Sequence, residues 1–329
     1  MTAVAGAPGA APRPGQLPVV DVMLPAYGDG PLLREAVASV LAQDGAGWRL
    51  EVSDDGPDDP ALAQWFAELA DRTGPDRIRY HRNPVNLGIN RNFQRCFDRA
   101  TGDLAVLLGA DDRMLPDYVR TVATVAARYP DAAWIQPGVR IIDGSGRHVL
   151  PLADRIKNVL RPTGGPGRVL GGEQLLASLL RGNWLYFPSV AFRRETVQKY
   201  GFRPGYDVVQ DLDLYARMLF DGHHAVLLDH VCFEYRRHAA SLSSTEAVSG
   251  GRFDEELACF AEIRQEARRR GWRRAARAAS EHLTSRLHAL ALLPGPLRGG
   301  DFVLVRRMLR HGLGRTGSGG PDHAGPVRA

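Results

Sequence analysis

The sequence predicts an α/β fold built on a mainly parallel sheet with helices on both faces. Between residues 18 and 143, short apolar runs alternate with amphipathic stretches that are long enough for helices. This alternation is typical of parallel sheets, because each helix carries the chain back across one face of the sheet. Polar residues follow several of the apolar runs, and ligands of such sheets lie beyond the carboxyl ends of the strands. These observations predict both the fold and the edge of the sheet that carries the function.

Each element of this region follows from its local pattern. Residues 31–43 place apolar side chains at helical spacing, and Pro31 stands in the first turn, where proline is favoured. Similar patterns predict helices at 60–72, at 90–102 and in LPDYVRTVATVAARYP. The predicted strands are PVVDVMLP, WRLEVSDDG, RIRYHRN, DLAVLLGADD and AAWIQPGVRIID, the last as one strand or two.

The second half of the chain is predicted to be less regular. Residues 150–172 are expected to form a long loop with local helix, and SVAFRRETVQKYGF a strand followed by a short helix. Residues 210–222 predict a helix, and AVLLDHVCFEYRRH predicts a bent strand or a strand pair. Two helices broken at Gly271 are predicted over 252–293, followed by a shorter helix near 301–311.

These patterns divide the chain into four parts. Residues 1–17, rich in Ala, Pro and Gly, are expected to be a disordered leader, and residues 312–329 a disordered tail. The main domain spans 18–245, and a basic helical extension spans 252–311. The extension holds 13 Arg against 7 Asp and Glu, so it accounts for the formal net charge of +5 of the chain. Few aromatic residues stand between its arginines, which argues against nucleic acid as a partner.

The cysteine and hydropathy patterns indicate in which cellular compartment the protein is expected. The three cysteines are scattered, without the paired spacing of a zinc site. We expect them to be reduced thiols of a cytoplasmic protein. No apolar stretch approaches the ~20 residues that would span a bilayer.

Two adjacent acids end the fourth predicted strand. Asp111 and Asp112 follow an apolar run and a glycine. Carboxylates suit hard cations such as Mg²⁺ and Mn²⁺, and one or two of them with substrate phosphates commonly hold such an ion. A solvated strand end or a helix cap explains the two acids equally well, so the pair alone does not distinguish a metal site from a structural role.

The other strand ends carry polar or aromatic residues. Asp55 can accept a hydrogen bond from a nucleobase or serve an Asp-Gly-Pro turn. Tyr27 can stack on a base or cap the core. The segment NPVNLGINRNF offers Asn86, Gly88 and Asn92, but it lacks the glycine-rich phosphate signatures of dehydrogenases and P-loop NTPases.

Seven segments in this order resemble the family 2 glycosyltransferases with the GT-A fold. They are LPAYGDGPLLREAVASVLAQ, VSDDGPDD, NPVNLGINRNF, ATGDLAVLLGADDRMLPD, FRRETVQKYGF, VVQDLDLYARM and YRRHAASLS, and they extend from about Val19 to Ser244. The resemblance implies a Rossmann-like GT-A domain, here followed by the C-terminal helical extension. It also implies an inverting enzyme that uses a nucleotide-diphosphate sugar and a divalent cation, Mg²⁺ or Mn²⁺.

The resemblance further implies roles for individual residues. Asp211 matches the general base, Asp112 the direct metal ligand, and His238 a loop histidine that reaches the metal or the diphosphate. The candidate nucleotide-sugar residues are Pro25, Ala26, Tyr27, Asp55, Asn86, Gly88, Asn92 and Asp111. Three positions depart from the family pattern. Gly-Ala-Asp-Asp lacks the first Asp of a literal Asp-x-Asp, Pro57 stands where the family usually has Ser, and Gln210 stands where it usually has Glu.

The acceptor side carries no recognisable motif. We expect its wall within residues 150–190, including Asn183, Trp184 and Tyr186, and expect a glycan, a lipid-linked molecule or a small molecule as acceptor. The basic extension is expected to pack on the main domain. It could also give a peripheral contact with the inner face of the membrane or form a homodimer.

Two other functions stay open at this stage. A nucleotidyltransferase also uses a parallel sheet with Mg²⁺ held by aspartates, but its first loop is normally basic, and LPAYGDGPLL is not. A non-catalytic module recruited through the basic C-terminal helices is the second alternative.

Overall fold

A computed structural model describes residues 17–45, 47–237, 251–282 and 302–312, together with residues 285, 286, 289, 293 and 297. Almost all of the predicted leader and tail lies outside these residues, as does His238. None of the helices that the structure describes is long and apolar enough to cross a membrane.

A single mixed sheet organises the described chain. Its strands are β1 (Val20–Ala26), β2 (Trp48–Asp54), β3 (Ile78–Arg82), β4 (Leu104–Leu107), β5 (Arg113–Met114), β6 (Trp134–Asp143), β7 (Arg168–Gly171), β8 (Ala191–Arg193) and β9 (His224–Arg237). The strand order is β3-β2-β1-β4-β8-β6-β9-β5, and β7 also pairs with β9. Strands β1 to β4 are parallel, whereas β8 is antiparallel to both β4 and β6. The predicted mainly parallel sheet is therefore confirmed for the half that carries the first four strands.

Helices cover both faces of this sheet. They are α1 (Pro31–Leu41), α2 (Pro60–Thr73), α3 (Ile89–Arg99), α4 (Tyr118–Arg128), α5 (Leu152–Leu160), α6 (Gly172–Arg181), α7 (Arg194–Tyr200), α8 (Gln210–Phe220), α9 (Gly251–Arg269), α10 (Arg273–Glu281) and α11 (Phe302–Gly312). Successive side chains of a strand point to opposite faces. Accordingly, Val22 and Leu24 pack with α1, α2 and α4, while Met23 packs with α3, α6 and α8.

Three regions are more regular than the sequence predicts. The region 150–172, expected to be a loop with local helix, contains the helix α5 and also the strand β7. Of the two alternatives for AVLLDHVCFEYRRH, a strand pair or a bent strand, the structure has a single strand, β9, which pairs with β6 across an irregularity near Gly138. There a Cβ would lie 2.6 Å from the Asp229 carbonyl oxygen, so the two strands approach too closely for a larger residue. AAWIQPGVRIID likewise forms one strand, β6.

The C-terminal helices share the core of the main domain. Cys259, Phe260 and Ile263 of α9 are buried in the cluster that also holds leucines of α6 and α8. The Glu173 carboxylate of α6 accepts hydrogen bonds from the backbone N–H groups of Arg274 and Ala275, at the start of α10. The predicted break at Gly271 is present, with a positive φ of 73°. The helices α9 and α10 of the predicted extension therefore pack into the same core as the main domain.

Candidate active site

The carboxyl ends of four parallel strands bring the predicted strand-end residues to one edge. Ala26 of β1 pairs with Asp54 of β2, and Asp54 pairs with Arg82 of β3. Met23 pairs with Leu107 of β4. Tyr27, Asp55, Asn83 and the Gly109–Asp112 turn therefore leave the sheet at the same edge, as the fold class predicts.

Asp55 organises the loop that follows β3. Its carboxylate accepts hydrogen bonds from the backbone N–H of Leu87 at 2.8 Å, the backbone N–H of Gly88 at 2.9 Å and the amide nitrogen of Asn83 at 2.9 Å. Asn86 closes a local turn, since its side-chain oxygen accepts from the Gly88 N–H at 2.8 Å. Gly88 has a φ of 78° and precedes α3, a left-handed conformation that favours glycine. These contacts give the loop a fixed shape beside Tyr27.

Asn92 lies next to this loop, and its side chain forms hydrogen bonds with other residues of the protein. It is buried, and its side-chain oxygen accepts from Ser53 at 2.7 Å and from Asn83 at 3.0 Å. Its amide nitrogen donates to the Ser53 carbonyl oxygen at 2.9 Å. Asn92 therefore supports the loop through hydrogen bonds to β2 and to Asn83. The expected contact between Asn92 and the nucleotide stays a prediction.

The first loop presents one large aromatic side chain. Tyr27 is 68% exposed directly after β1, which leaves its ring available for stacking. Ala26 is buried, and its carbonyl oxygen accepts from the Asp55 N–H at 2.9 Å. Pro25 is partly buried within β1. Of the three predicted residues, Tyr27 is the one with a freely accessible side chain.

Asp111 and Asp112 form a tight turn after β4. The carboxylate of Asp112 is buried and accepts from the backbone N–H of Arg236 at 2.8 Å. Burial, and then the charge of neighbouring Asp111, raise the pKa of Asp112 well above its ordinary value, while the hydrogen bond from Arg236 acts in the opposite direction. Two carboxylates so close together, one of them out of water, are stabilised by a nearby cation.

Arg236 is a functional-site residue that the sequence did not reveal. Its guanidinium is buried; Nε donates to the Asp111 carbonyl oxygen at 2.6 Å, and one terminal nitrogen to the Asp143 carbonyl oxygen at 3.1 Å. The other terminal nitrogen forms an ion pair with Glu35 of α1 at 2.6 Å. Arg236 thus fixes the acidic turn to α1 and to the end of β6. No local pattern distinguishes it from Arg237, its neighbour in the sequence.

The acidic turn fits a hard divalent cation. Its donor atoms are carboxylate oxygens, which Mg²⁺ and Mn²⁺ prefer. A Cβ on Gly109 would lie 2.6 Å from Oδ2 of Asp112 and 3.0 Å from Oδ1 of Asp111, so glycine keeps the space beside both carboxylates open. The residues that the structure describes contain no group of three metal-binding side chains. An ion held here would therefore need ligands from elsewhere, such as substrate phosphates.

Asp211 stands in the first turn of α8, where the helix N-terminus favours a negative charge. Its Oδ2 accepts a hydrogen bond from the Asn183 side-chain nitrogen at 2.8 Å, and its Oδ1 from the Leu212 N–H at 2.7 Å. Burial raises the pKa of Asp211, whereas the hydrogen bonds from Asn183 and Leu212 and the charge of Lys157 lower it. A carboxylate in this setting can take a proton from a hydroxyl group placed beside it.

The predicted acceptor residues have three different environments. Asn183 contacts Asp211 directly. Tyr186 is buried, and its hydroxyl donates to Asp154 of α5 at 2.9 Å. Trp184 lies in the core, where its indole N–H donates to Ser178 at 3.1 Å. Its ring is enclosed by apolar side chains, and the expected role of Trp184 at the acceptor site stays a prediction.

Charged residues on and beside α5 act electrostatically on both acidic groups. Arg237 lowers the pKa of Asp112 and forms an ion pair with the buried carboxylate of Asp154 of α5 at 3.0 Å. The Lys157 amine of α5 lies over the ring of Tyr186 and lowers the pKa of Asp211. The helix α5 therefore contributes to the electrostatic environment of both acids.

Known proteins match this chain in sequence and in fold. Residues 21–183 match the family model for glycosyl transferase family 2. An uncharacterised Mycobacterium tuberculosis protein is 27% identical over 245 residues, which are 70% of this chain and 71% of that protein.

Two solved structures share the fold at low sequence identity. Staphylococcus aureus TarS in complex with UDP-GlcNAc has a TM-score of 0.57 at 13% identity, covering 90% of this chain and 92% of that one. The mannosyltransferase PcManGT of Pyrobaculum calidifontis, in complex with GDP-Man and Mn²⁺, has a TM-score of 0.53 at 18% identity, covering 92% of this chain and 89% of that one. The chain is a glycosyltransferase that belongs to family 2 and has the GT-A fold.

Proposed function

We propose that the protein transfers a sugar, with inversion, from a nucleotide-diphosphate sugar to an acceptor hydroxyl, with Asp211 as general base. The observation that carries the proposal is the setting of Asp211: its partly buried carboxylate stands at the start of α8 and accepts hydrogen bonds from Asn183 and from the Leu212 N–H. Asp111 and the buried Asp112 form a second acidic group, at the carboxyl edge of the parallel strands. The two solved relatives that bind UDP-GlcNAc and GDP-Man support a nucleotide-sugar donor.

The donor is proposed to lie along the edge of β1, β2 and β4. The exposed Tyr27 ring supplies a surface on which a nucleobase can stack. The loop held by Asp55 closes the other side of this position, with the Gly88 backbone beside it. Asp111 is placed on the nucleotide-sugar side and Asp112 on the diphosphate side.

We propose Asp112 as the ligand of Mg²⁺ or Mn²⁺, with His238, outside the described residues, as a further candidate. When bound, such an ion stabilises the negative charge that develops on the departing diphosphate. The solved mannosyltransferase relative contains Mn²⁺, which supports the proposal. Arg236 holds the acidic turn in place for this task.

Asp211 is proposed to remove the proton of the acceptor hydroxyl as its oxygen attacks the anomeric carbon. The bond to the diphosphate breaks on the opposite face of the sugar, so a single displacement inverts the configuration. Asn183 orients the carboxylate and stabilises its ionised form. The three cysteines are buried free thiols, which supports a cytoplasmic location for the enzyme.

The variant Asp211→Asn tests the base. We expect the rate of transfer to fall by ~10²–10⁴-fold, the usual contribution of a general base, while donor affinity stays near that of the wild type. The donor is found first by thermal-shift screening of UDP-, GDP- and dTDP-sugars with Mn²⁺. Turnover and donor Kd are then measured separately, and near-normal turnover in this variant would remove Asp211 from the mechanism.

Removal of divalent metal tests the role of the acidic turn. We expect EDTA to abolish transfer, because without a divalent cation the leaving diphosphate lacks a counter-charge. Addition of Mn²⁺ or Mg²⁺ should restore transfer. The variant Asp112→Asn should lose the metal-dependent part of nucleoside diphosphate affinity, measured by titration calorimetry with and without Mn²⁺. Full activity in chelator contradicts the metal role.

A further inference from the structure

Residues 150–169 expose an unusual amount of apolar surface. This segment, here called the α5 face, holds five of the twelve large hydrophobic side chains that are exposed in the described part of the chain. Leu152, Ile156 and Val159 are 73%, 47% and 85% exposed and follow helical spacing on α5. Leu150 before the helix and Val169 on β7 are exposed as well. Contiguous exposed apolar surface of this kind marks an interaction site.

The charges of the α5 face have one sign. Its basic residues are Arg155, Lys157, Arg161 and Arg168. Its single acid, Asp154, is fully buried against Tyr186 and Arg237. Arg161 is paired with Asp229 of β9, while Arg155 and Arg168 are exposed and donate to backbone carbonyl groups of Leu150 and Thr163. The α5 face therefore presents apolar and cationic groups to solvent.

The α5 face lies close in the structure to the segment that contacts the proposed base Asp211. Lys157 stands over the ring of Tyr186 and donates to the Leu185 carbonyl oxygen at 3.1 Å. Two residues earlier, Asn183 contacts Asp211. A molecule that touches the exposed side of α5 is thus one helix away from the proposed base.

We propose that the α5 face docks the enzyme on an anionic lipid bilayer. Apolar side chains on one helical stripe with arginine and lysine beside them are the signature of interfacial helices, which insert shallowly and are held by anionic headgroups. A second copy of the chain fits less well. A twofold contact sets the same patch of each copy against the other, which would bring the arginines of the two copies together.

This docking deepens the proposed function, on which the next step rests. A bilayer at the α5 face places the headgroup region beside Asp211, so the acceptor class is a lipid-linked hydroxyl. The docking itself is measured without donor or acceptor. Its failure would therefore leave the glycosyl transfer proposal untouched, and loss of transfer in Asp211→Asn says nothing about docking.

Vesicle flotation of the full chain tests the docking. We expect binding to vesicles that contain phosphatidylglycerol and much weaker binding to phosphatidylcholine alone. The double variant Leu152→Gln/Val159→Gln should lose most of the binding. Each of Arg155→Gln and Arg168→Gln should weaken it about fivefold, the effect of one cation near an anionic surface. Because these side chains are exposed, the thermal midpoint should stay near the wild-type value, which separates lost docking from lost folding.

The matched control is the double variant Phe302→Gln/Leu309→Gln, which removes two exposed apolar side chains of α11. It should bind the anionic vesicles as the wild type does. Three results overturn the proposal: wild-type binding that is absent or independent of lipid charge, loss of binding in the α11 control but not in the α5 variant, or a dimer in sedimentation that only the α5 variant abolishes.

Discussion

Among single residues, Asp211 is subject to two effects that shift its pKa in opposite directions. Burial disfavours its charged form, and the amide of Asn183 and the N–H of Leu212 stabilise that form. Gln210 precedes it where the family usually has Glu, so no adjacent carboxylate raises its pKa further. The Gln210 side-chain oxygen is buried and without a hydrogen-bond partner among the described residues. The basicity of Asp211 is therefore set mainly by burial and by Asn183.

The variant Asn183→Leu is expected to shift the acid limb of the pH–kcat profile to higher pH. A general base acts in its ionised form, so activity is lost as the pH falls through its pKa. Without the hydrogen bond from Asn183, the ionised form is less stable, and the already raised pKa of Asp211 increases further. The same change at the exposed Asn158 should leave the profile in place. An unchanged profile in Asn183→Leu, with kcat intact, would contradict the role of Asn183.

Glu35 connects α1 with β5 and β9, because its two carboxylate oxygens pair with two different arginines. Oε2 pairs with Arg236, which fixes the acidic turn, and Oε1 pairs with Arg113 at 2.6 Å. Arg113 continues the network to Glu234 of β9 at 2.6 Å. Both arginines therefore join α1 to the far strands of the sheet. Only Arg236 also contacts the Asp111–Asp112 turn in the described hydrogen bonds.

The variants Arg236→Gln and Arg113→Gln separate two roles: joining α1 to the far strands, which both arginines share, and holding the acidic turn, which, among the described contacts, only Arg236 does. Each loses an ion pair with Glu35, so both should unfold at a lower temperature. Arg236→Gln should in addition weaken nucleoside diphosphate affinity in Mn²⁺ by roughly tenfold or more, the effect of losing a charge-assisted hydrogen bond to the turn. Calorimetric titration next to thermal unfolding measures both quantities. Equal affinities in the two variants would show that Arg236 has a purely structural role.

At the level of the whole molecule, the helices α9 and α10 belong to the same fold as the main domain in the part of the chain that the structure describes. α9 and α10 complete the apolar cluster of α6 and α8, and Glu173 ties α6 to α10. α8 begins with the residues around Asp211, so the base depends on a core that these helices help to enclose. Within the described residues, the predicted basic extension packs on the main domain through α9 and α10, and the exposed arginines of these two helices and of the turn between them are Arg268, Arg269, Arg270, Arg273, Arg274 and Arg277.

Deletion of residues 251–329 is expected to abolish cooperative folding, and not to leave an active core domain. The buried Ile263 gives a graded test, because Ile263→Ala removes apolar contacts at the α9 interface and should cost about 3 kcal/mol of unfolding free energy. The exposed neighbour Gln265, changed to Ala, serves as control. Urea denaturation measures both variants, and a stable, donor-hydrolysing deletion protein would refute the shared core.

The alternation of strands and helices over residues 18–143, and the sheet edge that carries Tyr27, Asp55 and the acidic turn, could be predicted from the sequence. This prediction was possible because apolar periodicity and strand ends are local properties, and parallel strands end at one edge. The internal partners of the polar groups follow only from the three-dimensional structure. Asn92 forms a hydrogen bond with Ser53, Trp184 is buried in the core, and the Arg236 N–H donates to Asp112, 124 residues away in the sequence. Such contacts depend on how distant elements pack, and no local pattern records them.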